Sequence, residues 1–252
     1  MKRILLFLSA LFIATTAIAH TINWYVDGNI FHTTTCESGD NVTPPTAPEK
    51  YGYTFQGWGS YIPIEYLEST GTQYIDTGIQ QSDYAQNLIV NMTLQFIENG
   101  YQNASLGCMQ TGSYFTPFQT GISSSDFWSN IGAAGEEIIF NVNEPTGKHK
   151  IVCDTKQGIL TVDENVYTYK DKSAKVDKNI YMFARNNNGS PAMFSKIRFY
   201  NISFYTKEGN LIRDFIPVLD PYGTPCMYDK VEHKFYYNAG TGDFIAGPIV
   251  GE

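Results

Sequence analysis

Long apolar runs, clusters of basic residues and metal-binding motifs are scarce in this chain of 252 residues. After the first 19 residues, no stretch approaches the ~20 apolar residues that a membrane-spanning helix needs. The 17 basic residues are fewer than the 25 acidic ones and form no patch, which argues against nucleic acid as a partner. No two cysteines have C-x-x-C spacing and no two histidines have H-x-x-x-H spacing, which argues against a zinc site.

The motifs of common hydrolases are absent as well. There is no G-x-S-x-G motif, and no E-x-D-x-x-E motif that would place two carboxylates on one strand face, about 5 Å apart. The acidic pairs that come closest are predicted to diverge on a strand or to lie at a turn: Glu65 with Glu68, Glu136 with Glu137, and Asp163 with Glu164. A glycosidase built from carboxylates distant in sequence stays open as an alternative.

The N-terminus has the three parts of a signal peptide. Lys2 and Arg3 precede an apolar run over residues 4–13, and small residues end the segment at Ala17-Ile18-Ala19. We predict that residues 1–19 are removed and that the protein is exported to the periplasm, the cell surface or the medium, with no remaining membrane span. An uncleaved membrane anchor is the alternative. Removal of the two basic residues takes the net charge from −8 to −10.

The rest of the sequence predicts an all-β fold. It contains 18 Tyr and 16 Phe residues and many short apolar runs separated by Gly, Asn, Asp, Ser or Pro, without helical periodicity. Residues 196–206 carry apolar side chains at both odd and even positions, so that Ile197 and Phe199 are predicted to point one way and Ile202 and Phe204 the other. Apolar residues on both sides predict a central strand. Met227-Tyr228 is predicted to pair with Phe235-Tyr236 in a closing hairpin.

The segment of residues 20–60 resembles the internalin-type Listeria-Bacteroides surface repeat. The resemblance rests on an alternating strand at Ile22–Val26, a turn at Asp27-Gly28-Asn29, and the close GYTFQGW, which ends at Trp58. It implies a small β-grasp-like module of surface and secreted proteins, without catalysis.

Residues 61–252 resemble laminin G-like domains of the concanavalin A-like lectin and glucanase group. The match lies at the two ends, IEYLESTGTQYIDTGI from Ile64 to Ile79 and the segment from Lys196 to Pro248. It implies a jelly-roll β-sandwich. Members of this group bind sugars, bind proteins or cleave glycans, so the resemblance leaves the activity open.

Four cysteines, Cys36, Cys108, Cys153 and Cys226, remain after processing, in a compartment that permits disulfides. Three complete pairings are possible, and one pair with two free thiols is equally plausible.

The segment from Tyr114 to Asn130 combines aromatic and polar residues, as sugar-binding sites do. Trp128 is the predicted platform for a sugar ring, with Tyr114 and Asn130 beside it. Burial of these aromatics in the core is the alternative interpretation.

Calcium is the one cofactor that the sequence suggests. Asp76, Asp126 and Asn187 could supply oxygen ligands at the rim of a sandwich, as laminin G-like domains often do. The alternative is that these residues stabilise turns.

Together these features predict a secreted, non-catalytic module that binds a glycan or a surface protein. The alternatives are a glycan hydrolase or lyase on the same scaffold and a structural component of the cell surface.

Overall fold

A computed structural model of the chain describes residues 2–9, 19–26, 29–37, 39–84, 87–98, 103–120, 126–133, 137–169 and 176–250. Nearly all regular structure in these residues is β-strand, which confirms the all-β prediction, and a 3-10 helix spans Gln81–Tyr84. None of the described residues belongs to a helix with the length and hydrophobicity of a membrane span. The strands are β1 Lys2–Ser9, β2 His20–Val26, β3 Asn29–Cys36, β4 Tyr53–Pro63, β5 Leu67–Thr70, β6 Ile75–Gln80, β7 Leu88–Phe96, β8 Ala104–Gln110, β9 Ser113–Thr120, β10 Asp126–Ala133, β11 Glu137–Asn141, β12 Lys148–Asp154, β13 Ile159–Val162, β14 Asn165–Thr168, β15 Asn179–Met182, β16 Arg185–Asn187, β17 Ser190–Ala192, β18 Lys196–Thr206, β19 Leu211–Leu219, β20 Pro225–Asp229, β21 Lys234–Tyr236 and β22 Ile245–Ala246.

The strands form two sheets with the hydrophobic core between them. In the described residues, the first sheet has the order β14-β13-β12-β7-β18-β19-β4-β1-β2-β3. In addition, β5 pairs with β18 and β22 with β5, while β20 pairs with β19 and β21 with β20. The second sheet has the order β11-β10-β9-β8-β15-β6, with β16 paired to β8 and β17 paired to β16. Along that order, neighbouring strands of the second sheet are antiparallel, so residues directly opposite each other share a face.

Phenylalanine rings from both sheets fill the core. Phe118 of β9 stacks on Phe127 of β10 with ring centroids 5.0 Å apart, and Phe96 of β7 lies 5.8 Å from Phe118 across the sandwich. A second contact between the sheets joins Phe183 to Phe199 of β18 at 4.9 Å. All five rings are fully buried. Each such pair adds about 0.5–1.5 kcal/mol to the stabilisation from burial.

β18 is a central strand, as predicted, but its alternation is interrupted. It pairs with β7 on one edge and with β5 and β19 on the other. Strict alternation would place Ile197 and Phe199 on one face of β18 and Ile202 and Phe204 on the other face. All four side chains are nevertheless buried in the same core. A register shift between Phe199 and Asn201 marks a β-bulge, which turns the second half of the strand over. The prediction that Ile197 and Phe199 point away from Ile202 and Phe204 is therefore wrong, because the bulge sends both pairs to one side.

The N-terminal segment continues the first sheet. β2 and β3 form the predicted hairpin, in which Trp24 is 1% exposed and its Nε1 donates a hydrogen bond to Thr34 Oγ1 at 2.8 Å. β4 runs without a break through the expected boundary at residue 60 and pairs with β19 through Ile62 and Pro63. β1, within the predicted signal peptide, lies between β4 and β2.

All four cysteines are free thiols. Cys108 on β8, Cys153 on β12 and Cys226 on β20 are buried, and burial raises the pKa of each thiol to about 12. Cys36, at the end of β3, is half-buried. The fold therefore contains no disulfide, and its stability comes from packing and hydrogen bonds.

The stacked pair at the centre of the core gives a test of the fold. Replacing Phe118 by Ala is expected to lower the free energy of unfolding by about 3–5 kcal/mol, because it leaves a cavity between the sheets. Urea unfolding followed by circular dichroism measures the change. The control is Tyr222→Ala, at a side chain 93% exposed, where we expect a change within about 0.5 kcal/mol. Equal effects of the two substitutions would contradict the described core.

Candidate functional site

The second sheet turns one face to the core and the other face away from it. On β10, Phe127 and Ile131 belong to the core. Because side chains alternate along a strand, Trp128 and Asn130 lie on the opposite face. Trp128 is half-buried and lies outside the core cluster, and Asn130 is 8% exposed.

The neighbouring strand β9 adds polar residues to the same face. Trp128 lies directly opposite Gln119, and Asn130 lies directly opposite Thr116. Tyr114, two residues before Thr116, is half-buried on this face as well. We call these five residues, on two adjacent strands, the polar face. The structure thus brings together the three predicted ligand residues, Trp128, Tyr114 and Asn130.

The polar face contains buried oxygen atoms without hydrogen-bond partners. These atoms are Thr116 Oγ1, Gln119 Oε1 and Asn130 Oδ1. Thr116 is fully buried and Gln119 is 3% exposed. A buried polar group without a partner costs about 1–3 kcal/mol, and native proteins leave few of them. Three such oxygens lie together on these two adjacent strands.

A cation borders the polar face. The guanidinium carbon of Arg185 lies 5.3 Å from the centroid of the Tyr114 ring. Burial lowers the pKa of Arg185, an effect that the neighbouring Tyr114 opposes, and the guanidinium stays charged at neutral pH. Arg185 Nε and Asn187 Oδ1 are further buried atoms without a hydrogen-bond partner. The border of the polar face thus has a hydrogen-bond donor, Arg185 Nε, and an acceptor, Asn187 Oδ1, without partners.

The residues predicted to bind calcium are not brought together. Asp76 lies on β6 and Asp126 begins β10, and three strands separate β6 from β10 in the sheet. Asn187 lies on β16, which pairs with β8 and β17. The Asp76 carboxylate accepts hydrogen bonds from Asn179 Nδ2 at 3.0 and 3.1 Å and from Gly78 N at 2.9 Å. The side chain of Asp126 is outside the described residues. The order of the strands, which the sequence does not reveal, therefore separates the three residues.

Among the described residues, no three His, Cys, Asp or Glu side chains lie close enough together to hold a metal ion.

A cleft of about 350 Å³ lies at the edge of the second sheet, where β6 begins. The ring of Tyr74 lies 4.7 Å from that of Tyr181 and 6.2 Å from that of Phe194. We call this cleft the rim cleft. Its lining includes Thr72, Tyr74, Pro191, Phe194, Gly240 and Thr241.

A second cleft, of about 280 Å³, contains two adjacent carboxylates, Asp163 and Glu164. Asp163 is engaged within the protein: it accepts hydrogen bonds from His149 Nδ1 and from Lys150 N, both at 2.9 Å. His149 Nε2 faces the Glu144 carbonyl oxygen at 3.1 Å. Asp163 therefore holds the predicted turn between β13 and β14.

Sequence reasoning missed part of both the polar face and the rim cleft. Thr116 and Gln119 lie within the segment from Tyr114 to Asn130, and alternation from Tyr114 could have identified Thr116. Between Thr116 and Gln119, β9 has one residue more than the facing part of β10, which marks a bulge in β9, so the same alternation does not identify Gln119. No local pattern signals the rim cleft, because its residues come from distant segments.

Asp220 supports the segment that forms one wall of the rim cleft. Its carboxylate accepts hydrogen bonds from Thr224 N at 2.8 Å, Tyr222 N at 2.9 Å and the Tyr237 hydroxyl at 3.0 Å. Burial opposes ionisation of Asp220, but the backbone hydrogen bonds from Thr224 and Tyr222 outweigh it and lower the pKa. Tyr237 leads directly into the loop that contains Gly240.

The lowered pKa of Asp220 predicts a pH-dependent effect of Asp220→Asn. At neutral pH the substitution should lower the free energy of unfolding by about 1–3 kcal/mol, because a charged acceptor is lost. A lowered folded-state pKa stabilises the fold above the unfolded pKa of about 3.9, and this stabilisation is lost as pH falls through the folded-state pKa. Urea unfolding at neutral pH and in acid measures both limits. A difference between the proteins that persists unchanged in acid would contradict the role of the charge.

No protein-family model matches this chain, and no curated protein matches it. Among solved structures, a crystal structure at 1.50 Å resolution shows similarity over 95% of this chain and 71% of its own, with 8% identity and a TM-score of 0.46. That protein, from Bacteroides ovatus ATCC 8483, is described provisionally as a carbohydrate binding protein. At this similarity, nothing about ligand or activity transfers from that protein to this chain.

Proposed function

We propose that this protein is an exported, non-catalytic module that binds a glycan on the polar face. The observation that carries the proposal is the group of three buried oxygens, on Thr116, Gln119 and Asn130, that have no hydrogen-bond partner. They lie on the same two strands as the half-buried rings of Trp128 and Tyr114. Sugar hydroxyls are hydrogen-bond donors, and the C–H face of a pyranose packs on an aromatic ring.

The two amide side chains suit this chemistry because they can turn. The terminal torsion angles of Asn130 and Gln119 are soft, so a small rotation directs an oxygen or an NH₂ group at a ligand hydroxyl. Neighbouring strands lie about 4.8 Å apart, so that one sugar ring can contact both β9 and β10.

The charge of the chain favours neutral glycans. The protein has a formal net charge of −8, and −10 after removal of Lys2 and Arg3, which repels polyanions. Arg185 is the charged side chain described beside Tyr114, and a single guanidinium does not outweigh that field.

Two further parts of the proposal rest on the sequence. Export rests on the signal-peptide pattern of residues 1–19. A concanavalin A-like jelly roll behind an internalin-type repeat rests on the residues that carry those resemblances.

A glycan array tests this function directly. The purified protein should bind neutral glycans, and Trp128→Ala should lower the affinity by ~10-fold or more, as expected for a central aromatic contact. Calorimetry on the best ligand, with and without calcium, gives the affinity. The matched control is Tyr222→Ala, at an exposed aromatic far along the chain from the polar face. If the protein binds no glycan on the array and forms oligomers in light scattering, the result would instead support a structural component of the cell surface.

Thr116→Val separates binding from stability. Valine has nearly the shape of threonine and removes the unpartnered hydroxyl, so we expect the free energy of unfolding to rise by about 1 kcal/mol while glycan affinity falls. Urea unfolding and calorimetry on the same sample measure the two effects. A rise in stability with unchanged affinity would assign the hydroxyl no role in binding.

A further inference from the structure

We infer that the rim cleft holds a second, neutral pyranose ring, and that one glycan chain runs from the polar face to this cleft across the strands of the second sheet. This inference rests on the proposed function and extends it. It assigns a second subsite and a minimum length to the ligand.

The rim cleft has an aromatic wall of the kind that packs against sugar rings. Tyr74 and Phe194 are half-buried, with an angle of 68° between their rings. Behind Tyr74, the ring of Tyr181 packs at an angle of 31°, and Tyr181 is 7% exposed. The side of the Tyr74 ring facing the cleft is therefore supported from beneath, and the wall combines apolar ring surface with edges that can face a ligand.

The lining of the cleft selects for a neutral ligand. It contains no charged side chain among the described residues; its polar groups are Thr72, Thr241 and backbone groups. The Thr72 hydroxyl donates a hydrogen bond to the Thr241 carbonyl oxygen at 2.8 Å, which leaves the threonine oxygen able to accept another. A charged ligand would lose its hydration here without gaining an ionic partner.

The cleft is held in shape before any ligand binds. Gln73, 1% exposed, accepts a hydrogen bond from Thr70 N at 2.8 Å and donates one to the Asp243 carbonyl oxygen at 3.1 Å. Gly240 lies so close to the Thr72 carbonyl oxygen that a Cβ atom there would clash with it. Pre-formed walls reduce the entropy that binding must overcome.

The rim cleft and the polar face lie on the same side of the second sheet. Tyr181 faces away from the core, since its neighbours Ile180 and Met182 are core residues, and Tyr74 packs on Tyr181. Trp128 lies on the equivalent face of β10. Four strand spacings separate β10 from β6, about 19 Å, which a chain of several sugars spans and a disaccharide does not.

Binding of oligosaccharides of increasing length tests the inference. The probes are the neutral cello-, manno- and laminari-oligosaccharide series, from monosaccharide to hexasaccharide, measured by calorimetry with the purified protein. Affinity should rise steeply once the chain is long enough to reach both subsites, since the second contact becomes intramolecular. Tyr74→Ala should remove that rise and weaken hexasaccharide binding ~10-fold or more, while disaccharide binding at the polar face stays unchanged.

Controls separate this inference from the proposed function. Tyr74→Phe keeps the ring and should retain the length dependence, and Tyr222→Ala should behave as the unmodified protein. Hexasaccharide binding that is unaffected by Tyr74→Ala but lost in Trp128→Ala would overturn the rim subsite and leave the proposed function standing. The reverse pattern would overturn the polar face as the main site. An affinity for oligosaccharides that does not depend on their length would overturn the inference that one glycan chain binds both subsites.

Discussion

The stacking of Phe118 on Phe127, covered from the other sheet by Phe96, fixes much of the rest of the molecule. Once these rings are buried, the period of two along β9 and β10 decides which side chains face away from the core. Trp128 and Asn130 occupy the outer face because Phe127 occupies the inner one. The core therefore positions the candidate site without contacting a ligand, and the outer positions can carry polar residues.

The polar residues at these outer positions lower the stability of the fold. Buried oxygens without partners on Thr116, Gln119 and Asn130 are unfavourable in the isolated protein, and apolar residues of the same shape would pack there equally well. Such positions are expected where function opposes stability. The aromatic core compensates, because its rings bury large areas and contact one another across both sheets.

The sequence predicted local structure well and spatial arrangement poorly. Period-two patterns and turn residues located most strands and the closing hairpin, and the mixed aromatic and polar composition of one segment located the polar face. The sequence does not predict the bulge between Phe199 and Asn201, because apolar residues occupy both the odd and the even positions of β18. The calcium residues were grouped without knowledge of the strand order. The rim cleft joins Tyr74 to Phe194 across a long stretch of sequence, and only the folded sheets bring these rings into contact.

The four free thiols have a consequence for where the protein can fold. No covalent cross-link contributes to the sandwich, so its stability is indifferent to the redox potential of the surroundings. A reducing agent is therefore expected to leave the stability of the sandwich unchanged. Because Cys108, Cys153 and Cys226 are buried in the interior, folding itself also protects their thiols from mispairing.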